Sequence, residues 1–169
     1  MATALPPSIP VDGNLHVRWT PAVADMNAPT MAEWTAGVDI TCYLQDTKVG
    51  VSQEQTSVPD RRMCRTTAVQ TPGPATATSD DITYVYDPQA ADESPVNVAA
   101  ETLVKGEQGY FLVRRGLPYE TEAAAGQFVE VQHDELGVRW DSSSPTEDQS
   151  KYTQRRFNKD FVERAALVA

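Results

Sequence analysis

Apolar and polar residues alternate along several short segments separated by proline, glycine and polar runs, as they do in half-buried β-strands. The clearest predicted strands are residues 15–20, 38–44, 82–86, 110–115, 127–133 with its continuation 137–140, 152–157, and 161–168. Two shorter strands are predicted near 47–54 and 62–70. About eight strands in one domain indicate a β-barrel or β-sandwich.

One α-helix is predicted at residues 95–106. Ser94 can cap its first turn, Pro95 suits the first helical position, and Gly106 would end it. An apolar stripe at helical spacing would dock this helix onto the sheet. The expected fold is therefore mainly β, a single domain over residues 1–169 flanked by one helix. The stripe consists of Val96, Ala99 or Ala100, and Leu103.

Three segments are less regular than the predicted strands. Residues 1–13 are rich in proline and are expected to form an arm, and residues 151–169 are expected to form C-terminal strands or a second arm. Residues 45–80 are polar and contain few large apolar side chains, so they are either a functional loop or a surface insertion. One helical turn is also predicted after Thr30, with Glu33 completing a capping box.

The charge balance excludes some classes of function. The chain carries 24 acidic and 14 basic residues, a net charge of −10, and a nucleic-acid reader would need a basic surface. Acidity by itself also keeps a protein soluble. The N-terminal residues do not resemble a signal peptide, and no run approaches the ~20 apolar residues of a membrane span, so we expect a soluble chain made in the cytosol.

No catalytic motif is present in the sequence. The G-x-S-x-G, glycine-rich phosphate-loop, H-E-x-x-H and paired C-x-x-C patterns are all absent, and His16 and His133 lie in no motif. We expect no enzyme activity, no cofactor and no metal. Cys42 and Cys64 lie in strand-like segments, so we expect them to be reduced and buried, although a disulfide between them stays open.

In the C-terminal part of the chain, an acidic segment is followed by a basic segment. An acidic segment beside a basic one suits subunits that meet repeatedly, although both could be ordinary solvated faces. Between 119 and 148 the one base is Arg139, and the acids are Glu120, Glu122, Glu130, Asp134, Glu135, Asp141, Glu147 and Asp148. Between 151 and 164 the acids are Asp160 and Glu163, and the bases are Lys151, Arg155, Arg156, Lys159 and Arg164.

Four stretches, in order, resemble the tail tube (major tail) proteins of long, non-contractile-tailed phages of actinobacteria. The second is similar to a family pattern, APT-x-AEL-x-AG-x-D-L-T-x-YL, with Trp34 where leucine is usual. The C-terminal third departs more and matches only in length and strand pattern. The stretches are VDG at 11–13, APTMAEWTAGVDITCYL at 28–44, DRRMC at 60–64 with ITYVY at 82–86, and AETLVKG at 100–106 with GY at 109–110.

The resemblance implies a structural virion protein that polymerises with itself. Six copies would form a ring, rings would stack into a tube, and DNA would pass through the lumen without specific binding. Residues 45–80 become the expected inter-ring loop, and the two ends become expected arms. Tape measure protein and tail terminator would be assembly partners, in the host cytoplasm. The alternatives are a terminator, connector or decoration subunit, or a monomeric β-sandwich binding module.

Candidate site residues follow from the same resemblance. The acids expected to face the lumen are Glu130, Asp134 and Glu135. The residues expected between subunits are Asp60, Arg61, Arg62, Lys151, Arg155, Arg156, Phe157 and Phe161.

Overall fold

A computed structural model describes residues 8, 10–45, 48–64, 66–91, 94–144, 146 and 149–169. The predicted mainly β fold is confirmed, since eight strands and only two short α-helices make up the regular structure of this part of the chain. The elements are β1 (Leu15–Thr20), α1 (Met31–Ala36), β2 (Val38–Asp39), a 3-10 turn (Thr41–Tyr43), β3 (Val51–Asp60), β4 (Val69–Ser79), β5 (Ile82–Val85), α2 (Val98–Thr102), β6 (Gln108–Arg115), β7 (Phe128–Asp141) and β8 (Lys151–Ala166). Most of the predicted arm 1–13 lies outside the described residues.

Six strands form one curled antiparallel sheet in the order β2-β1-β6-β7-β8-β5, which resembles half of a barrel. Residues 40–45 reach both of its edges. The Ile40 amide donates to the Val17 carbonyl of β1 at 3.1 Å, and the Gln45 amide donates to the Thr83 carbonyl of β5 at 2.9 Å. The segment therefore satisfies backbone groups that two open strand edges would leave unpaired.

The sheet buries apolar side chains on both faces. One face packs Val17, Phe111 and Leu136 against α2, through Ala99 and Leu103, and is here called the α2 face. The opposite face, here called the α1 face, buries Trp34 of α1 in a second cluster, whose sheet residues include Leu112, Val129 and Val131. Successive side chains of a strand point to opposite faces, so the two clusters follow from alternation within β6 and β7.

The helices differ from the prediction in number and length. The turn after Thr30 becomes α1, and its predicted capping box is confirmed, with Thr30 and Glu33 bonded reciprocally. The predicted helix 95–106 is wrong in extent, because α2 has five residues and begins at Val98. Asn97 precedes it and uses its side-chain amide to bond both backbone groups of Asp87 at 2.9 Å, so Ser94 does not cap the helix.

The predicted strand 38–44 is also wrong in extent. It stops at Asp39, because the carboxylate Oδ1 accepts hydrogen bonds from the Thr41 amide and hydroxyl at 3.0 and 2.7 Å, which turns the backbone into the 3-10 turn. The alternation is lost there, so Cys42 is exposed rather than buried. Cys64 is exposed as well, and both are free thiols, which corrects the expected burial and removes the disulfide option.

The predicted loop 45–80 contains a long two-stranded hairpin. β3 and β4 pair with each other along most of their length, and most of their side chains are exposed. Prolines are tolerated because each strand of an isolated hairpin has one unpaired edge. The two C-terminal strands predicted at 152–157 and 161–168 are one strand, β8, which lies inside the sheet between β7 and β5.

Candidate assembly surfaces

The hairpin β3–β4 presents apolar side chains to solvent. Val58 and Val69 are about half exposed, and Met63 in the turn is fully exposed. The predicted inter-subunit residues Asp60 and Arg62 lie at this end, where Arg62 Nε is 3.1 Å from Asp60 Oδ2, and Arg61 is exposed between them. Exposed apolar side chains on a projecting element are typical of a contact surface.

The hairpin meets the sheet over a buried polar cluster on the α2 face. The side chains of Arg156 and Asp134 are both fully buried, and Arg156 Nη1 lies 3.0 Å from Asp134 Oδ2. Arg156 also stacks over the Phe111 ring at 4.7 Å. Burial lowers the pKa of Arg156, and the charge of Asp134 opposes that shift.

This burial corrects two of the sequence-based candidates. Arg156 was expected between subunits and Asp134 in an acidic lumen, but neither side chain reaches the surface of the protomer. Alternation in β8 explains the first, since Arg156 pairs with Leu136 and therefore points to the α2 face. In the protomer, both side chains contact buried neighbours instead of solvent.

The three acids expected in the lumen do not share a face. Glu130 and Asp134 are on the α2 face of β7, whereas Glu135 has the opposite parity and is on the α1 face. Glu130 bonds Arg115 at 2.6 Å and lines a cleft of about 380 Å³ beside the hairpin. Glu135 lies 2.9 Å from Lys159 Nζ, and the hydrogen bond from Lys159 lowers the pKa of Glu135.

The acidic and basic segments of the sequence meet within one protomer. They form the neighbouring antiparallel strands β7 and β8, so Asp134–Arg156 and Glu135–Lys159 are ion pairs across the ladder. Arg155 points to the α1 face and lies 3.5 Å from Asp81. Ion pairing within one subunit therefore accounts for part of the separation of acidic and basic residues along the sequence.

The part of the α1 face away from Trp34 is open. Phe157 is half exposed there beside Glu135, and Tyr110 stacks on His133 with ring centroids 4.6 Å apart. Lys151 is on the same face of β8, whereas Phe161 pairs with Gln132 and lines the cleft on the α2 face. The two phenylalanines expected between subunits therefore lie on opposite faces of the sheet.

A second polar cluster was missed in the sequence. Asp39 Oδ2 lies 3.0 Å from His16 Nε2 and accepts a hydrogen bond from the Tyr119 hydroxyl at 3.0 Å. Burial raises the pKa of Asp39, but the hydrogen bonds from His16 and Thr41 outweigh burial and hold that pKa well below its usual range. Hydrogen bonds with Cys42 and Asp39 raise the pKa of the Tyr119 phenol. No local motif marks these residues, which the fold brings together from distant segments.

Among the residues that the structure describes, no group of three or more His, Cys, Asp or Glu could hold a metal ion. No helix in the same residues is long and apolar enough to cross a bilayer.

Comparisons with known proteins give one family. A family model described as phage tail tube protein matches residues 2–169. A search of curated proteins finds no match.

Proposed function

Because the chain belongs to the phage tail tube protein family and is a structural protein of the virion tail, we propose that six copies close into a ring and that the rings stack into a tube. In this proposal the tube conducts DNA during ejection, and the protomer does no chemistry. Tape measure protein and the tail terminator would be its partners during assembly in the host cytoplasm.

The observation that carries the proposal is the exposed hairpin. The edges of the main sheet bond to residues 40–45, whereas in the described part of the chain β3 and β4 pair only with each other and expose most of their side chains. An unpaired strand edge with exposed apolar residues is costly in a monomer and is satisfied by a neighbouring copy. A contact of this kind is heterologous, which allows rings to close and to stack.

We further propose that Glu135, rather than Glu130, contributes to the lumen. Glu135 is on the open part of the α1 face, whereas Glu130 is beneath the hairpin and paired with Arg115. An acidic wall would repel the DNA phosphates and let DNA pass without binding.

Long, non-contractile tails and an actinobacterial host are part of the proposal, supported by the pattern at 28–44. Immunogold labelling of purified virions would test whether this protein lies along the tail.

Negative-stain electron microscopy of the purified protein over a concentration series tests assembly. We expect tubes of uniform diameter, with Arg61→Glu reducing their number because it reverses a charge at the hairpin turn. Lys105→Glu makes the same charge change at an exposed site away from the hairpin and is the matched control. Single rings that never stack would indicate a terminator, and strict monomers at every concentration would refute the tube. Deleting 151–169 is a poor test, since it removes the internal strand β8.

A further inference from the structure

The guanidinium of Arg156 bonds both ends of the hairpin where it leaves the sheet. We call residues 49–50 and 79–80 the hairpin roots. Arg156 Nη2 donates to the Gly50 carbonyl at 3.1 Å, and Arg156 Nε donates to the Asp80 carbonyl at 2.7 Å. Its Nη1 donates to Gln132 and Asp134 at 3.0 Å. One buried side chain of β8 thus joins the two roots to β7.

Other side chains of the sheet hold the same roots. Asp134 Oδ1 accepts the Ser79 hydroxyl at 2.6 Å, and Gln132 Nε2 donates to the Val49 carbonyl at 3.3 Å. Arg115 donates to the Val49 carbonyl as well. Each root therefore has at least two side-chain bonds from the sheet, and most of them come from groups that are themselves buried.

The rest of the hairpin is held much more weakly. Beyond its roots, the described part of the hairpin reaches the sheet through a side-chain hydrogen bond from Gln53 to Glu163, which is exposed and 3.2 Å long. Most side chains of β3 and β4 face solvent. A two-stranded ribbon with so little buried surface cannot fix its own direction, so its direction must be set at the roots.

We infer that Arg156 is a positioning residue for assembly, which fixes the direction in which the hairpin projects from the sheet. The inference rests on the proposed function, in which the hairpin contacts a neighbouring copy. A hairpin held in one direction loses less conformational entropy when that contact forms. Only the planar, five-donor guanidinium can bond two root carbonyls and two side chains together. Lysine would keep the charge without the fork.

The chain's own thiols allow a direct test. Cys64 is in the turn of the hairpin and Cys42 is in the 3-10 turn of the body, and both are exposed and free. Spin labels on the two sulfurs would report the distance from hairpin to body by double electron–electron resonance in dilute, unassembled protein. A Cys42→Ser sample, labelled only on the hairpin, measures any contribution from distances between molecules.

The informative variant is Arg156→Met combined with Asp134→Asn, which removes both buried charges and keeps an oxygen for Ser79. We expect a narrow distance distribution in the native protein and loss of that single narrow peak in the double variant. Arg155→Met, the adjacent position on the opposite face, should keep the peak. Arg156→Lys should broaden it while the charge is retained. Circular dichroism and a cooperative urea denaturation curve like that of the native protein would establish that each variant is folded.

A narrow, unshifted peak in a folded double variant would overturn the inference, since the hairpin would then be fixed without Arg156. Broadening with Arg155→Met as well would also overturn it. Electron microscopy distinguishes a failure of this inference from a failure of the proposed function. If the native protein forms no tubes, the tube proposal fails while the distance measurement still stands. If the native protein forms tubes, the double variant should form fewer of them.

Discussion

Breaking the Arg156–Asp134 pair should destabilise the protomer strongly, while removing both charges should not. Both side chains are fully buried and 3.0 Å apart. Arg156→Met leaves the Asp134 carboxylate buried without a cation, at a cost of about 3–5 kcal/mol in the free energy of unfolding. Asp134→Asn leaves a buried guanidinium without its anion and should cost a similar amount. The double variant should be more stable than either single variant, because no uncompensated charge remains.

The measurement is a double-mutant cycle from urea denaturation in dilute, unassembled protein. The fluorescence of Trp19 and Trp34 reports unfolding, since both are buried. For a domain of this size, a loss of 3–5 kcal/mol corresponds to a fall in Tm of roughly 6–20 °C. The control is Arg155→Met, which breaks the exposed pair with Asp81 and should cost at most about 1 kcal/mol. A loss below about 1 kcal/mol for Arg156→Met, or double-variant losses equal to the sum of the singles, would refute the reasoning.

Three further predictions concern Asp39, Trp34 and the two cysteines. Asp39→Asn should lower stability at pH 7 by about 1.5–3 kcal/mol, since the carboxylate accepts charge-assisted hydrogen bonds. Folding lowers the pKa of Asp39, so its contribution to the free energy of unfolding is present above the unfolded pKa of about 3.9 and is lost as the pH falls below that value. Native protein should therefore lose more stability than the variant between about pH 5 and 3. Parallel plots of unfolding free energy against pH, measured by urea titration, would contradict this. Trp34→Ala should cost about 3–5 kcal/mol, because it empties the centre of the α1-face cluster; a loss under about 1 kcal/mol in the same assay would count against that packing. Cys42 and Cys64 should both react with a thiol reagent in native, dilute protein, and reaction only after unfolding, read by mass spectrometry, would contradict their exposure.

The sequence by itself determined the features that depend on neighbouring residues. Alternation at 110–115 and 82–86 places strands correctly, because the period of side-chain direction is a local property of the backbone. The Thr30–Glu33 capping box forms as predicted for the same reason, since both partners lie within one helical turn. The family also follows from the sequence, because four short stretches occur in the expected order and the family model spans 2–169.

Only the tertiary structure decided which polar residues are buried. Asp134 and Arg156 look like surface charges in the sequence, but the register of β7 and β8 points them to the same covered face. His16 and Tyr119 both contact the carboxylate of Asp39, although no sequence pattern links these three residues. Such contacts join segments far apart in the chain, so their energies cannot be read from local periodicity.

The hairpin shows the same division between local and tertiary information. Its polar composition correctly indicated an exposed segment, whereas the strands within it were predicted as shorter and displaced. Cross-strand hydrogen bonds stabilise β3 and β4 without an apolar face, so they leave little hydrophobic pattern to detect. The direction of the hairpin depends on a guanidinium about a hundred residues away in the chain, and only the folded sheet brings that side chain to the roots.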